Sequence, residues 1–184
     1  MKILKATMVA ATTVAGCFAG ACAAADGAKT AEPPAVKNGS AGRNTNFSLA
    51  TCDGKTVSLD NYAGKPVLVI FMSSTCIDCK NAAPTMKKLA ETYGPKGIAV
   101  VGLAMDTAAA PMREFAQKYQ LAFPIGLNGK PVAKNYRSRG VPNFYLLDKT
   151  HSIAKFWYGA DGGSAYEKDM FNTLDEMAAR LAAK

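Results

Sequence analysis

The sequence is poor in histidine and lacks long apolar runs. His151 is the only histidine among 184 residues, and only one pair of the five cysteines forms a Cys-x-x-Cys motif. A structural zinc site needs four cysteine or histidine ligands, so we expect no metal. No stretch approaches the about 18 continuous apolar residues of a membrane-spanning helix. Five cysteines are also too few for a small disulfide scaffold at this length.

The composition is that of a globular protein with a modest basic excess. Lys and Arg number 22 against 14 Asp and Glu, which gives a formal net charge of +8. No block of five or six like charges occurs, so the excess indicates a solvated surface, and we expect no nucleic-acid binding. With 49% hydrophobic residues the chain has enough material for a core, which argues against intrinsic disorder. No repeat or fibrous period is present.

The first 25 residues are typical of a secretory signal. Lys2 and Lys5 precede a short apolar run over residues 6–16 that is too short to span a bilayer. Two processing routes are open. The letters VAGC ending at Cys17 resemble a bacterial lipobox, in which that cysteine is lipidated, whereas AAA ending at Ala25 fits ordinary cleavage. We favour lipidation and expect a periplasmic or cell-envelope protein, anchored as a lipoprotein.

The remaining chain divides into a linker and one domain. Residues 26–45 are rich in Ala, Gly, Pro, Asn and Ser, which predicts a flexible linker. Residues 46–184 are enough for one compact domain. Its pattern predicts a hairpin around the turn 52–55, buried strands at 66–72 and 98–103, helices at 77–93 and from Pro111, a hairpin from 143–147 and 153–158, and a final helix. Such alternation predicts an α/β fold with a mixed sheet.

One cysteine pair carries the strongest chemical signal. Cys76-Ile77-Asp78-Cys79 directly follows a buried strand and opens the next helix. A helix N-terminus presents unpaired N–H groups and about half a positive charge, which favours a thiolate on the first cysteine. Two intervening residues allow the second cysteine to attack the first and release a mixed disulfide. We therefore expect a redox-active Cys76–Cys79 pair, rather than a structural disulfide or half of a zinc site, and no other cofactor.

Further motifs match a known family. From about Asn46 to Leu181 the chain resembles the exported thioredoxin-fold proteins of the TlpA/ResA type. The matching segments are FSL (47–49), DGK (53–55), GKP (64–66), PVLVIF (66–71), CIDCK (76–80), IAVVGL (98–103) and GVP (140–142). The resemblance implies a thioredoxin-like fold with an N-terminal β-hairpin extension. It also implies that Pro142 is cis and faces the cysteine pair, and that Val141 offers its backbone to a substrate strand.

The resemblance also implies function and partners. It suggests a reductant of disulfides in extracytoplasmic proteins, fed by a membrane thiol electron donor and serving cytochrome c maturation or a metal-site protein. We expect a monomer. Asp78 favours the same direction, because a negative charge beside the pair opposes the thiolate and makes the dithiol a stronger reductant.

The sequence departs from the family at the residues that tune such a site. Thr75 replaces the usual tryptophan, Asp78 a common proline, and Ala82 the glutamate of many ResA-like members. Thioredoxin itself keeps a buried acid where this chain has Ile70. The usual group that deprotonates the second cysteine is therefore missing. Asp78 and Asp106 are candidate acid/base helpers, although a plain surface or loop role is favoured for each.

Two alternative functions fit less well. Copper-delivery proteins of the SCO type need a three-residue gap between the cysteines and a histidine. Here the gap is two, and His151 lies in a predicted hairpin turn. A peroxiredoxin has a proline and a Thr or Ser at fixed spacing before its peroxidatic cysteine. Ser73 fits the second position, but Val69 occupies the proline position. Cys52 lies beside a hairpin turn, and we expect at most a minor role for it.

Overall fold

The computed structural model describes residues 45–159 and 164–183. The expected signal segment 1–25, including Cys17, and the expected linker 26–45, apart from its last residue, lie outside the described residues. Their boundaries stay predictions. Within the described ranges, no helix combines the length and apolar character needed to cross a membrane.

The described residues form a small hairpin and a five-stranded mixed sheet flanked by helices. The hairpin strands are β1 (Ser48–Ala50) and β2 (Thr56–Ser58), followed by a 3-10 turn at Leu59–Tyr62. The sheet strands are β3 (Val67–Met72), β4 (Ala99–Ala104), β5 (Ile125–Gly126), β6 (Asn143–Leu147) and β7 (Ile153–Tyr158). The helices are α1 (Ile77–Tyr93), α2 (Ala109–Lys118), α3 (Lys130–Tyr136) and α4 (Ser164–Ala182).

Strand β3 lies at the centre of the sheet. The strand order is β5-β4-β3-β6-β7, with β3 parallel to β4 and antiparallel to β6. All six residues of β3 are buried, and alternate side chains enter two different cores. One core contains residues of α1 and α4, and the other contains residues of α3 and the hairpin. Because both faces are covered, the strand reads as a continuous apolar run.

The predicted fold class is confirmed: a mixed sheet flanked by helices, with an N-terminal hairpin. Helix α1 and strands β6 and β7 have the predicted bounds, and β4 begins one residue later than predicted. Pro111 lies in the first turn of α2, as expected. The sequence patterns did not predict β5 or α3, since two and seven residues are too few to show a clear period.

Candidate active site

Cys76 caps the N-terminus of α1. The chain leaves the end of β3 at Met72, crosses a three-residue loop and enters the helix after Cys76. The half-buried Cys76 Sγ accepts a hydrogen bond from the Cys79 backbone N–H at 3.3 Å. The sulfur thus occupies the place of a capping side-chain oxygen, where the unpaired N–H groups of the helix favour negative charge.

Cys79 lies in the first turn of α1 and is fully buried. Both residues of the pair are thiols in this structure. Burial raises the pKa of the Cys79 thiol well above its ordinary value, and the nearby Cys76 and Asp78 act in the same direction. A hydrogen bond from the Ser73 backbone opposes this effect but does not cancel it. Cys79 is therefore held as a neutral thiol beneath the more accessible Cys76.

The segment before β6 lies against the nucleophile candidate. The Val141–Pro142 peptide bond is cis, as the resemblance implied. The Cys76 thiol donates a hydrogen bond to the Val141 carbonyl oxygen at 3.3 Å. Pro142 is buried, and its carbonyl accepts the Gly159 N–H at 2.9 Å. The structure thus brings Val141 and Cys76 together, whereas the pairing of Val141 with a substrate strand stays a prediction.

The two candidate helper aspartates occupy different positions. Asp78 is half-exposed in the first turn of α1, where its charge acts on Cys79. Asp106 follows β4, and its carboxylate accepts hydrogen bonds from the backbone N–H (3.1 Å) and the hydroxyl of Ser74. Among the described residues, no hydrogen bond joins Asp106 to either cysteine. Its oxygens instead hold the loop that precedes Cys76.

A cleft of about 540 Å³ opens beside Cys76. Its lining residues are Ser73, Thr75, Cys76, Met105, Asp106, Thr107, Ala108, Lys130 and Val141. The cleft has hydroxyl groups and one cation on its walls, and Asp106 is the only carboxylate among these residues. A larger depression of about 820 Å³ lies elsewhere, beside Gly64 and Lys149, and includes neither cysteine.

Three further residues that sequence reasoning missed support the site. Ser74 binds Asp106, and Asn143 and Ser138 hold the chain before Val141. Asn143 is 2% exposed, and its amide donates to the Ser138 hydroxyl oxygen at 2.7 Å. The sequence does contain a signal for Asn143, since it is the polar first residue of the otherwise apolar strand β6. A buried amide needs hydrogen-bond partners, so such a residue indicates a polar contact nearby.

His151 and Cys52 are not among the lining residues of the Cys76 cleft. His151 occupies the turn between β6 and β7 with a φ of 61°, and its Nε2 lies 3.1 Å from the Tyr62 carbonyl oxygen. It is a turn residue, as expected. Cys52 is half-buried beside the hairpin and forms no disulfide with the pair. Within the described part of the chain, no three His, Cys, Asp or Glu side chains cluster as metal ligands would.

Comparison with known proteins places the chain in a family. The family model described as AhpC/TSA matches residues 42–156. The chain belongs to the AhpC/TSA family. Thioredoxin-like protein YneN of Bacillus subtilis is 33% identical over 132 residues, which cover 70% of this chain and 75% of YneN. Thiol-disulfide oxidoreductase ResA of Bacillus thuringiensis is 30% identical over 109 residues, which cover 59% of this chain and 63% of that protein.

Solved structures show the same fold. The thioredoxin domain of a thiol-disulfide oxidoreductase from Bacteroides vulgatus superposes with a TM-score of 0.63 at 22% identity, covering 72% of this chain and 93% of that domain. A thioredoxin-type protein from Neisseria meningitidis gives 0.61 at 27% identity, over 73% of this chain and 88% of that one. The resemblance to TlpA/ResA-type proteins and the thioredoxin-like fold are thereby confirmed.

Proposed function

We propose that this protein is an exported thiol-disulfide oxidoreductase that reduces disulfides in other extracytoplasmic proteins. The enzyme class follows from the family and from relatives named as thiol-disulfide oxidoreductases. One observation carries the chemistry: an accessible sulfur caps α1, and a second, buried thiol lies one helical turn further along. This is the arrangement that a nucleophile and a resolving thiol require.

The reaction consists of two exchanges. The Cys76 thiolate attacks one sulfur of the substrate disulfide, that S–S bond breaks, and the other substrate sulfur leaves and takes up a proton. Cys79 then loses its proton and attacks the Cys76 sulfur, which releases the second substrate thiol and leaves a Cys76–Cys79 disulfide. The substrate gains two electrons and two protons, and the dithiol loses the same number.

The environment of Cys79 supports the reducing direction. Strong oxidants of this chemistry are those whose reduced form is stabilised. Here burial and the charge of Asp78 both disfavour the Cys79 thiolate, so Cys79 adds none of the thiolate stabilisation that makes the reduced form of a strong oxidant stable. The proposal also names an electron donor and two kinds of substrate. Two electrons from a membrane thiol donor would restore the Cys76–Cys79 dithiol after each turnover. The substrates would be disulfides of proteins in cytochrome c maturation, or of a metal-site protein.

The reduction potential of the Cys76–Cys79 couple tests the direction. Equilibration with glutathione buffers, followed by mass analysis of alkylated thiols, measures it. A value of about −270 mV supports the reductant, whereas about −120 mV would overturn the direction and leave the exchange chemistry intact. Turnover of hydrogen peroxide by the purified protein, without a disulfide substrate, would instead favour a peroxidase.

Export and anchoring form the second half of the proposal. We expect lipidation at Cys17 rather than cleavage after Ala25, and both positions precede the described residues. Intact-mass analysis of the mature protein distinguishes the routes, because lipid adds mass and fixes the first residue. A product that begins at Asp26 without lipid mass would contradict the anchor. Cys17→Ala should release an anchored protein from the membrane fraction.

A further inference from the structure

One segment beside the active site is cationic throughout. Residues 130–139, here called the cationic segment, contain four cations and no carboxylate: Lys130, Lys134, Arg137 and Arg139. All four side chains are exposed, and none forms an ion pair with a carboxylate of the described residues. Lys96 and Lys155, by contrast, pair with Asp175 and Asp169 of α4.

The first residue of the cationic segment lines the cleft, and the last lies close to it along the chain. At one end, the Gly129 N–H donates to the Ala104 carbonyl at 2.7 Å, which fixes the start of α3 at the end of β4. Lys130 follows directly and lines the cleft that contains Cys76. At the other end, Arg139 stands two residues before Val141, whose carbonyl accepts the hydrogen bond of the Cys76 thiol. Lys130 thus lies on the wall of the Cys76 cleft, and the exposed Arg139 is two residues along the chain from the carbonyl group that contacts Cys76.

Hydrogen bonds from Asn143 and Ser138 fix the loop that contains Arg139. The buried Asn143 amide donates to the Ser138 hydroxyl oxygen, and that hydroxyl donates to the Gly140 carbonyl at 3.1 Å. Asn143 is itself fixed in β6, opposite Phe71 of the central strand. Arg139 lies between the two bonded residues, so its backbone is positioned before a partner arrives. Such preorganisation lowers the ordering cost of binding.

The carboxylates near the cleft offset these cations only in part. Asp106 lines the cleft, and the charge of Asp78 on α1 acts on Cys79. These two carboxylates stand against the four cations of the segment. Charge in a cleft with low-dielectric walls acts on an approaching partner more strongly than the same charge on an open surface.

We infer that the cleft recognises substrate disulfides flanked by acidic side chains. This inference rests on the proposed function and names the substrate class of the same site. Acidic residues beside the substrate cysteines would meet Lys130 on the cleft wall and the exposed Arg139, two residues along the chain from Val141. Complementary charge of this kind raises the association rate and orients the partner. The acidic peptide segment therefore approaches with its disulfide directed at Cys76.

Three oxidised peptides of equal length test the inference. Each contains one disulfide, flanked by Asp, Ser or Lys, and the rate constant for oxidation of the reduced protein is measured by quenching and mass analysis. At about 0.02 M salt the Asp peptide should react about ten-fold faster than the Lys peptide, and the ratio should fall towards one at about 0.3 M. The variant Lys130→Glu/Arg139→Glu should reverse the order.

A matched control removes the effect of net charge. Lys65→Glu/Lys149→Glu changes the charge by the same amount at exposed positions outside the Cys76 cleft, and should keep the Asp preference. Equal rates for the three peptides, or the same shift in both double variants, would overturn the inference while the proposed function stands. Failure of every peptide to oxidise the protein would overturn the proposed function and the inference together.

Discussion

The carboxylate of Asp106 accepts two hydrogen bonds from Ser74, one from its backbone N–H at 3.1 Å and one from its hydroxyl. Ser74 stands two residues before Cys76, and its neighbour Ser73 supplies a backbone hydrogen bond to Cys79. Asp106 thus holds the loop that serves both cysteines. This geometry favours a positioning role for Asp106 over proton transfer.

Substitution of Asp106 separates these roles. In Asp106→Asn, the amide oxygen can accept the Ser74 N–H and the amide nitrogen can donate to the hydroxyl oxygen, so activity should stay within about two-fold of wild type. Asp106→Ala removes both bonds and should slow peptide reduction about ten-fold. Rates over pH 6–9 provide the measurement. Equal loss in both variants, with a changed pH profile, would identify Asp106 as a proton acceptor instead.

The raised pKa of Cys79 predicts a pH-dependent stability of the reduced protein. The Cys79 thiol binds its proton more tightly in the folded state than in the unfolded state, where the pKa of a cysteine is about 8.5. The resulting stabilisation is fully present below that pH and is lost as pH rises towards the folded pKa. Urea unfolding under reducing conditions should therefore show wild type losing more stability than Cys79→Ala between about pH 8 and 9.5. Parallel curves would contradict the prediction.

Gly159 leaves no room for a side chain beside the cis-proline segment. A Cβ there would lie 2.8 Å from Pro142 Cγ and 3.0 Å from the Phe144 ring. Gly159→Ala should cost about 1–3 kcal/mol in the free energy of unfolding and slow disulfide reduction by displacing Pro142. Gly140 is the control, since a Cβ there meets nothing within 4 Å. Urea unfolding compares Gly159→Ala with Gly140→Ala. Equal free energies of unfolding would show that the chain around Pro142 can shift to accommodate the added methyl group.

Trapping experiments test the assignment of nucleophile and resolving thiol. Cys79→Ser should accumulate mixed disulfides through Cys76, because the second exchange is removed. Cys76→Ser should accumulate none, since Cys79 is fully buried. Both variants are made in a Cys52→Ser background to exclude capture by that thiol, and adducts are resolved on non-reducing gels. Equal trapping by both variants would contradict the assignment.

Local patterns were readable from the sequence, and contacts between strands were not. The run from Pro66 to Met72 and the cysteine motif after it predicted a buried strand that feeds a redox helix. The partnership of Ser74 and Asp106, 32 residues apart, depends on register. Met72 pairs with Ala104 across parallel strands, so residues two beyond each become neighbours. A shift of one residue would have separated them, and no periodicity in the sequence fixes that register.

The hydrogen bonds of Thr45 have a consequence for the orientation of an anchored protein. Thr45 donates to the His151 carbonyl at 2.8 Å and accepts from the Tyr136 hydroxyl at 2.7 Å. His151 lies in the turn after β6, at the end of the sheet where Leu147 pairs with Val67, the first residue of β3. Cys76 lies beyond the other end of that strand, about 20 Å away. A lipid on Cys17 would therefore attach the domain to the membrane through the end opposite Cys76 and Cys79. For these cysteines to react with a donor in the same membrane, the domain would have to rotate relative to the bilayer. The length of the segment between Cys17 and Thr45 would limit this rotation.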